Sequence, residues 1–257
     1  MSFDFTGRRV LVTGASHGIG AAVAAAFADA GADLAILSST ADILDVGSSL
    51  SEATGRPVVA EVCDITDRAA VRRVVGGLGR LDVLVNNAGL ELITPILEPG
   101  DAVERTFERI IQINVVGTYY VTREAVKSMQ AGARIILTAS VWGRSAAAEF
   151  SAYVTSKHAN IGFMRVLAKE LGPLGINVNA VCPGWVKTRA ALRSLGEMSR
   201  RAGRAEQDML DDILAAQSLD GLMEPEDIAD LYLFLASDRA RNITGQAYNI
   251  DRGELQS

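Results

Sequence analysis

Tyr153 and Lys157 stand four residues apart in the run Ser151-Ala152-Tyr153-Val154-Thr155-Ser156-Lys157-His158-Ala159. On a helix this spacing stacks both side chains on one face. A free tyrosine titrates near pH ~10, so acting as a base near neutrality needs a drop of roughly three units, or about 4 kcal/mol. One positive charge about 4 Å away, at an effective dielectric of ~20, supplies about that much. The Lys157 ammonium is therefore expected to favour the Tyr153 phenolate and lower its pKa. The chemistry on offer is proton transfer at a substrate oxygen. Tyr-x-x-x-Lys also arises by chance on exposed helix faces, so its weight comes from the rest of the chain.

A second constellation, Thr13-Gly14-Ala15-Ser16-His17-Gly18-Ile19-Gly20, falls between an apolar run and an alanine-rich stretch. Glycines let a backbone turn tightly against a pyrophosphate, and the following helix offers free N–H groups to the anion. The order is Gly-x-x-x-Gly-x-Gly rather than Gly-x-Gly-x-x-Gly. The bland alternative is a plain tight turn. Downstream, Leu37-Ser38-Ser39-Thr40 ends the next apolar run without an acid. An acid there commonly holds the ribose 2′-hydroxyl of NAD, whereas three hydroxyls can donate to a 2′-phosphate, and His17 could add positive charge. The cofactor expectation is NAD(P), leaning to NADP(H). A Ser/Thr turn capping the next helix would leave NAD equally acceptable.

The elements that must position these groups alternate along the chain. Strands are expected at 8–13, 33–37, 57–62, 81–85, 134–138, 176–181 and 246–250. Helices are expected at 19–30 with Gly31 as C-terminal cap, from a Thr66 cap through Val75, and from an Asp101/Glu104 capping box past Asn114. Two more are expected over about 151–171 and after Pro225. Nearly continuous apolar strands between helices imply a parallel sheet covered on both faces. The fold class is therefore α/β: a single doubly wound Rossmann-type domain, with a mostly parallel seven-stranded sheet. Ligands are expected at the carboxyl ends of its strands. Residues from about 187 to 222 are charged, read as mobile and follow a strand end, where a substrate lid is expected.

The 257 residues are 49% hydrophobic, enough for a sizeable core, and no composition break divides them. A net charge of −6 argues against nucleic acid as a partner. No apolar run is long enough to span a bilayer, and Met1 to Arg9 lacks the apolar stretch of a secretory signal, so a cytoplasmic protein is expected. Cys63 and Cys182 read as buried, reduced thiols. Two histidines, His17 and His158, are too few for a typical metal site, and no metal is expected.

The motifs, in order and spacing, resemble the short-chain dehydrogenase/reductase family over nearly the whole chain. Thr13 to Gly20 is similar to its glycine-rich loop, and Asn86-Asn87-Ala88-Gly89 to its motif after the fourth strand. Asp64 matches the residue that contacts adenine, and Asn114 the one that positions a water in the proton relay. Ser140 stands thirteen residues before Tyr153, and Pro183-Gly184 and Thr188 resemble the segment closing over the nicotinamide. Two positions depart. His17 stands where NADP-linked members often carry Arg or Lys, and Arg252 where many have a glycine after the Asp.

The resemblance implies an NAD(P)-dependent interconversion of a secondary alcohol and a carbonyl. Tyr153 would exchange the proton, Lys157 would serve the tyrosine and the nicotinamide ribose, and Ser140 would hold the reacting oxygen. Asn114 would connect Lys157 to solvent. Cofactor contacts are expected from Gly14, Ser16, His17, Gly18, Ile19 and Gly20, from Ser38, Ser39, Asp64 and Ile65, and from Asn87, Ala88 and Gly89. Tyr153, Lys157, Pro183, Gly184, Val186 and Thr188 complete that set. Substrate contacts are expected from Ser140, Trp142, Tyr153, Trp185 and Arg189, with Glu91, Val141, Arg144 and Arg193 nearby. Arg189 and Arg193 could hold an anionic group. The expected substrate is a small molecule, a sugar, polyol or hydroxy acid; the rival is a 3-oxoacyl thioester on an acyl carrier protein. A regulator that has lost its chemistry, or a lyase or epimerase using the cofactor transiently, are the other classes. The family is typically tetrameric or dimeric, so a homo-oligomer is expected.

Overall fold

The computed structural model describes residues 3–256; Met1, Ser2 and Ser257, including the very start of the segment read for a signal, lie outside the described residues. Seven strands form one sheet: β1 (Arg9–Thr13), β2 (Asp33–Ser38), β3 (Val59–Val62), β4 (Val83–Asn86), β5 (Arg134–Thr138), β6 (Asn177–Pro183) and β7 (Ala247–Ile250). Their order is β3-β2-β1-β4-β5-β6-β7, and each adjacent pair is parallel. β4 and β5 are buried along their whole length, which explains why Val-Leu-Val and Ile-Ile-Leu run without polar alternation.

The chain winds outward from β1 to β3, then restarts beside β1 at β4. That reversal opens a crevice at the carboxyl ends of β1 and β4. One face of the sheet is covered by α1 (Gly18–Asp29) and α9 (Ala229–Ala236), which bury Val23, Phe27, Tyr232 and Leu235 against Val12, Val85 and Ile136. The other is covered by α3 (Arg68–Gly77), α5 (Thr118–Ala125) and α6 (Ser151–Leu171), which bury Val71, Val121 and Met164 against Leu84 and Leu137. α2 (Asp42–Thr54) packs beside β3 and was not delimited from sequence.

Three local expectations need correction. The cap of α3 is Asp67, not Thr66: its Oδ1 accepts from the N–H groups of Ala69 and Ala70 at 2.8 and 3.1 Å. Thr66 instead donates its hydroxyl to Asp64. Asp67→Ala is expected to cost about 1 kcal/mol, lowering Tm by roughly 2–4 °C for a chain of this size in a thermal melt.

Second, α4 (Asp101–Ile111) begins after Gly100, with no side-chain cap, and does not run unbroken past Asn114. A π-helical turn over Gln112–Gly117 intervenes before α5. It is accommodated by Gly117, where a Cβ would come within 2.6 Å of Ile65 Cγ1. Such turns recur at functional sites because they re-aim side chains. Third, the segment at 187–222 is ordered as α7 (Arg189–Ala202) and α8 (Glu206–Ala215).

Both ends of that segment are pinned. Val186 bridges Met223, with Lys187 N–H donating to the Met223 carbonyl at 2.8 Å. Near the far end, the N–H groups of Ser218 and Leu219 donate to the Arg252 carbonyl at 2.8 and 3.0 Å, and Arg252 Nη1 returns a bond to Asp220 O at 2.7 Å. Arg252 has a φ of +54°, in the region that favours glycine.

Candidate active site

The site forms where β1, β4, β5 and β6 end. Thr13 at the end of β1 accepts, through its Oγ1, from the N–H groups of Asn87 and Ala88, both at 3.0 Å. Asn87 Nδ2 donates to the carbonyls of Thr13 and Gly14 at 3.2 and 3.1 Å. These bonds tie the glycine loop to the segment after β4. At Gly14, with a φ of +67°, a Cβ would come within 2.6 Å of Ala88 Cα. α1 then starts at Gly18 with no side-chain cap on its first turn, so its free N–H groups face the loop.

A cleft of about 310 Å³ runs from this loop to the tyrosine. Gly14, Ser16, His17, Gly18 and Ile19 line its first part, with Ser38, Ser39, Asp64 and Ile65 at the far end. Asn87, Ala88, Gly89, Tyr153, Lys157 and Thr188 line the rest. Gly20 is behind this surface, packed against the Gly14 carbonyl and Asn87. Arg109, Cys63 and Leu37 also line the cleft and were missed from sequence. Arg109 lies on α4 far from any glycine motif, and its contacts with Asp64 Oδ2 at 3.3 Å and Thr66 Oγ1 at 3.5 Å reveal it. Burial opposes the Asp64 charge, but bonds from Thr66 and Arg109 outweigh it and hold the carboxyl below its usual range.

At the end of β2 the hydroxyls form a chain: Ser16 Oγ lies 3.1 Å from Ser38 Oγ, which lies 3.4 Å from Thr40 Oγ1. Ser16 Oγ is also 2.9 Å from His17 Nδ1. The expectation that His17 brings positive charge is not met. Desolvation and the charge of Arg189 lower its pKa, against a weaker opposite pull from Asp42.

A smaller pocket of about 100 Å³ opens beside the first. Ser140, Trp142, Tyr153, Pro183, Gly184, Trp185 and Val186 line it, as do Ile19, Glu91 and Thr188. Pro183, Gly184 and Val186, expected at the cofactor, thus border this pocket. Trp142 meets Tyr153 and Trp185 edge-on, each at 6.1 Å between ring centroids. Arg189 departs from expectation: it is exposed and lines neither cavity. As the first residue of α7 it projects past Thr188, whose Oγ1 caps that helix by accepting from Ala191 N at 3.1 Å. Arg193 donates to the Glu91 carbonyl at 2.6 Å and lines a separate cavity.

The proton-handling groups meet where the two cavities join. Ser140 hydrogen-bonds the Tyr153 hydroxyl. Lys157 is buried, its Nζ donating to Thr138 O at 2.7 Å and lying 5.4 Å from the Tyr153 ring centroid. Asn114, from the π-helical turn, exchanges bonds with the backbone of Leu90 at 2.7 and 2.9 Å and donates to Ser156 Oγ at 2.9 Å. It locks the segment after β4 to α6.

The electrostatics correct the helical-pair argument. Burial, then the negative charge of Glu91, push the Tyr153 hydroxyl above its ordinary value rather than below it. Burial lowers Lys157 to about 8. Removing the lysine from water weakens the charge that was to stabilise the phenolate.

An NAD(P) molecule fits the larger cleft: uncapped N–H groups face its phosphate end, and at Gly89 a Cβ would stand 3.4 Å from Asn114 Oδ1 and 3.7 Å from Lys157 Nζ, so glycine keeps the reactive end open. Among the described residues, no group of three or more His, Cys, Asp or Glu could hold a metal. No helix among them is long and apolar enough to cross a membrane.

Residues 14–254 match a family model described as enoyl-(acyl carrier protein) reductase. A D-beta-hydroxybutyrate dehydrogenase of Cupriavidus necator is 32% identical over 256 residues, covering 96% of this chain and 97% of the relative. The crystal structure of L-sorbose reductase from Gluconobacter frateurii with NADPH and L-sorbose superposes with a TM-score of 0.90 and 28% identity, covering 100% of both chains. A short chain dehydrogenase from Burkholderia cenocepacia in complex with NADP gives 0.85 and 32%, covering 97% of this chain and 98% of that one. The protein is an NAD(P)-dependent oxidoreductase with a Rossmann-type fold. From Gly14 to Glu254, in motif order and in sheet topology alike, the chain belongs to the short-chain dehydrogenase/reductase family.

Proposed function

We propose that the protein interconverts a secondary alcohol and a carbonyl on a small hydroxylated substrate, a sugar, polyol or hydroxy acid, with a preference for NADP(H). The observation that carries this reading is the meeting of Ser140, Tyr153 and Lys157 at the junction of the two cavities. When bound, the nicotinamide supplies or accepts the hydride. Tyr153 exchanges the proton with the substrate oxygen, and Ser140 donates a hydrogen bond to that oxygen. Tyr153, like a free tyrosine, is a neutral phenol near pH ~7, and the upward shift reinforces that form, the one that carbonyl reduction consumes. Lys157 keeps two N–H bonds beyond the one to Thr138 O, enough to hold a ribose. Asn114 acts as a positioning residue between Leu90 and Ser156.

The NADP(H) preference rests on the hydroxyl chain from Ser16 to Thr40, on the Arg189 charge bearing on His17, and on the NADPH and NADP of the similar solved structures. Asp42, hydrogen-bonded to Thr40, is the opposing charge. A thioester on an acyl carrier protein is the second reading, favoured by the description of the matched family model; a pocket of about 100 Å³ walled by two tryptophans favours a compact substrate instead. The chain acts as one catalytic domain, with α7 and α8 as its lid. Exposed Phe107, Tyr119 and Val166, on α4, α5 and α6, support a dimer or tetramer. Two free buried cysteines fit the reducing cytoplasm.

The test is a screen of sugars, polyols, hydroxy acids and 3-oxoacyl esters, following absorbance of NADPH and NADH in parallel. Turnover of a hydroxylated substrate, with NADPH preferred at least about tenfold, or about 1.4 kcal/mol, is the expected result. An NADH preference removes the phosphate reading of Ser38 to Thr40, and turnover confined to thioesters removes the substrate class.

A further inference from the structure

Glu91 sits two residues past Gly89 and borders both cavities, as do Ile19, Thr138, Tyr153 and Thr188. Among the described residues lining the smaller pocket, only Glu91 and Tyr153 carry ionisable groups. The remainder are aliphatic, aromatic, glycine, proline or hydroxyl residues. The cations nearby are turned elsewhere. Lys157 Nζ is bonded to Thr138 O, Arg193 Nη2 is bonded to the Glu91 main-chain carbonyl, and Arg189 is exposed outside both cavities. The Glu91 carboxyl is itself fixed by a hydrogen bond from Ser194, a side chain only 2% exposed on α7. A carboxylate has about four acceptor sites, so most of its capacity remains for a ligand.

Resting on the reading of this site as an alcohol/carbonyl centre, we infer that Glu91 sets its substrate class: the carboxyl group receives hydrogen bonds from a neutral polyhydroxylated substrate and turns away substrates bearing a carboxylate. A second carboxylate in the pocket finds no cation lining it and meets Glu91 at close range. Like charges a few ångströms apart in a partly desolvated site weaken binding on the order of a hundredfold. A neutral hydroxyl instead donates to Glu91, while the flat faces of Trp142 and Trp185 cover its carbon skeleton. A cationic substrate gains less than Glu91 alone would give, because the charges of Arg193 and Lys157 also reach this carboxyl group and oppose a further cation. Burial raises the Glu91 pKa, and the Ser194 bond and these two cations work against that shift. On this inference the proposed substrate set narrows to its neutral members, the sugars and polyols, and the hydroxy acids drop out.

The experiment is calorimetric titration at saturating cofactor, using matched pairs on one carbon skeleton: ribitol against ribonate, and xylitol against xylonate. Reduced cofactor is used, so that these alcohols form dead-end complexes. For the wild type, the polyol of each pair is expected to bind at least about tenfold more tightly than its acid, and Glu91→Gln should shrink that ratio at least about tenfold. Glu91→Asp, which keeps the charge, should retain the discrimination. A ratio unchanged in Glu91→Gln, a wild type that prefers the acids, or no polyol binding at all overturns the inference. Turnover is scored separately with oxidised cofactor. Altered selectivity without turnover leaves this inference standing and removes these polyols as reactants of the proposed alcohol/carbonyl centre; turnover with unaltered selectivity does the reverse.

Discussion

Tyr153→Phe is expected to lower kcat by about 10²–10⁴-fold, the range associated with losing a positioned acid or base. The change deletes one hydroxyl. The ring keeps its edge-on contact with Trp142, and Lys157 Nζ keeps its bond to Thr138 O. The helix carrying both residues is bounded at Ser151 and Leu171 by contacts that do not involve the hydroxyl. Cofactor affinity should therefore move by less than about twofold, placing the loss in the chemical step rather than in binding. Steady-state assays on a substrate from the screen, paired with NADPH fluorescence titration, separate the two. A variant with near-wild-type kcat would remove Tyr153 from proton transfer.

The second large effect is expected at Gly20. It lies behind the cleft, yet a Cβ there would collide with the Gly14 carbonyl and with Asn87 Nδ2. Those two groups are bonded to each other at 3.1 Å and tie the glycine loop to β4. Gly20→Ala must displace backbone, at a cost of about 1–3 kcal/mol. Tm should fall by roughly 2–4 °C per kcal/mol for a chain of this size. NADPH affinity should fall about 10–100-fold, because each tenfold corresponds to about 1.4 kcal/mol and the loop that strains is the one expected to meet the phosphates. Differential scanning calorimetry and the same titration read both quantities. Wild-type values would show that the bond between Asn87 and Gly14 does not hold the loop in place.

The parts of the molecule legible in the sequence are those governed by local pattern. β5 and α6 fall at the expected bounds because their apolar runs and terminal signals coincide. The glycine loop, Asn87 and Ser140 converge on Tyr153 as the motif order implied. What sequence spacing could not supply was depth and neighbourhood. The pair at positions 153 and 157 is stacked as expected, but its protonation follows burial and the charge of Glu91, which enters from the segment after β4. The π-helical turn at 112–117 was hidden because its residues continue the helical pattern on either side; the glycine that permits it answers to Ile65, a long way back in the chain. Asp67 outcompeted Thr66 as a cap because Asp64 engages the threonine first. Arg189 looked like a pocket residue from its place after Thr188, but the first turn of α7 carries it outward.

The left-handed Arg252 has a thermal consequence. A non-glycine residue in that conformation costs about 1–2 kcal/mol, so it persists only while its three bonds to residues 218–220 repay the strain. Those bonds lie at the chain's last few residues, outside the seven-stranded sheet. Heating should release this clasp as an early, local opening, well below the temperature at which the sheet melts. The protein would then fail in two stages, losing its grip on substrate while its sheet was still intact.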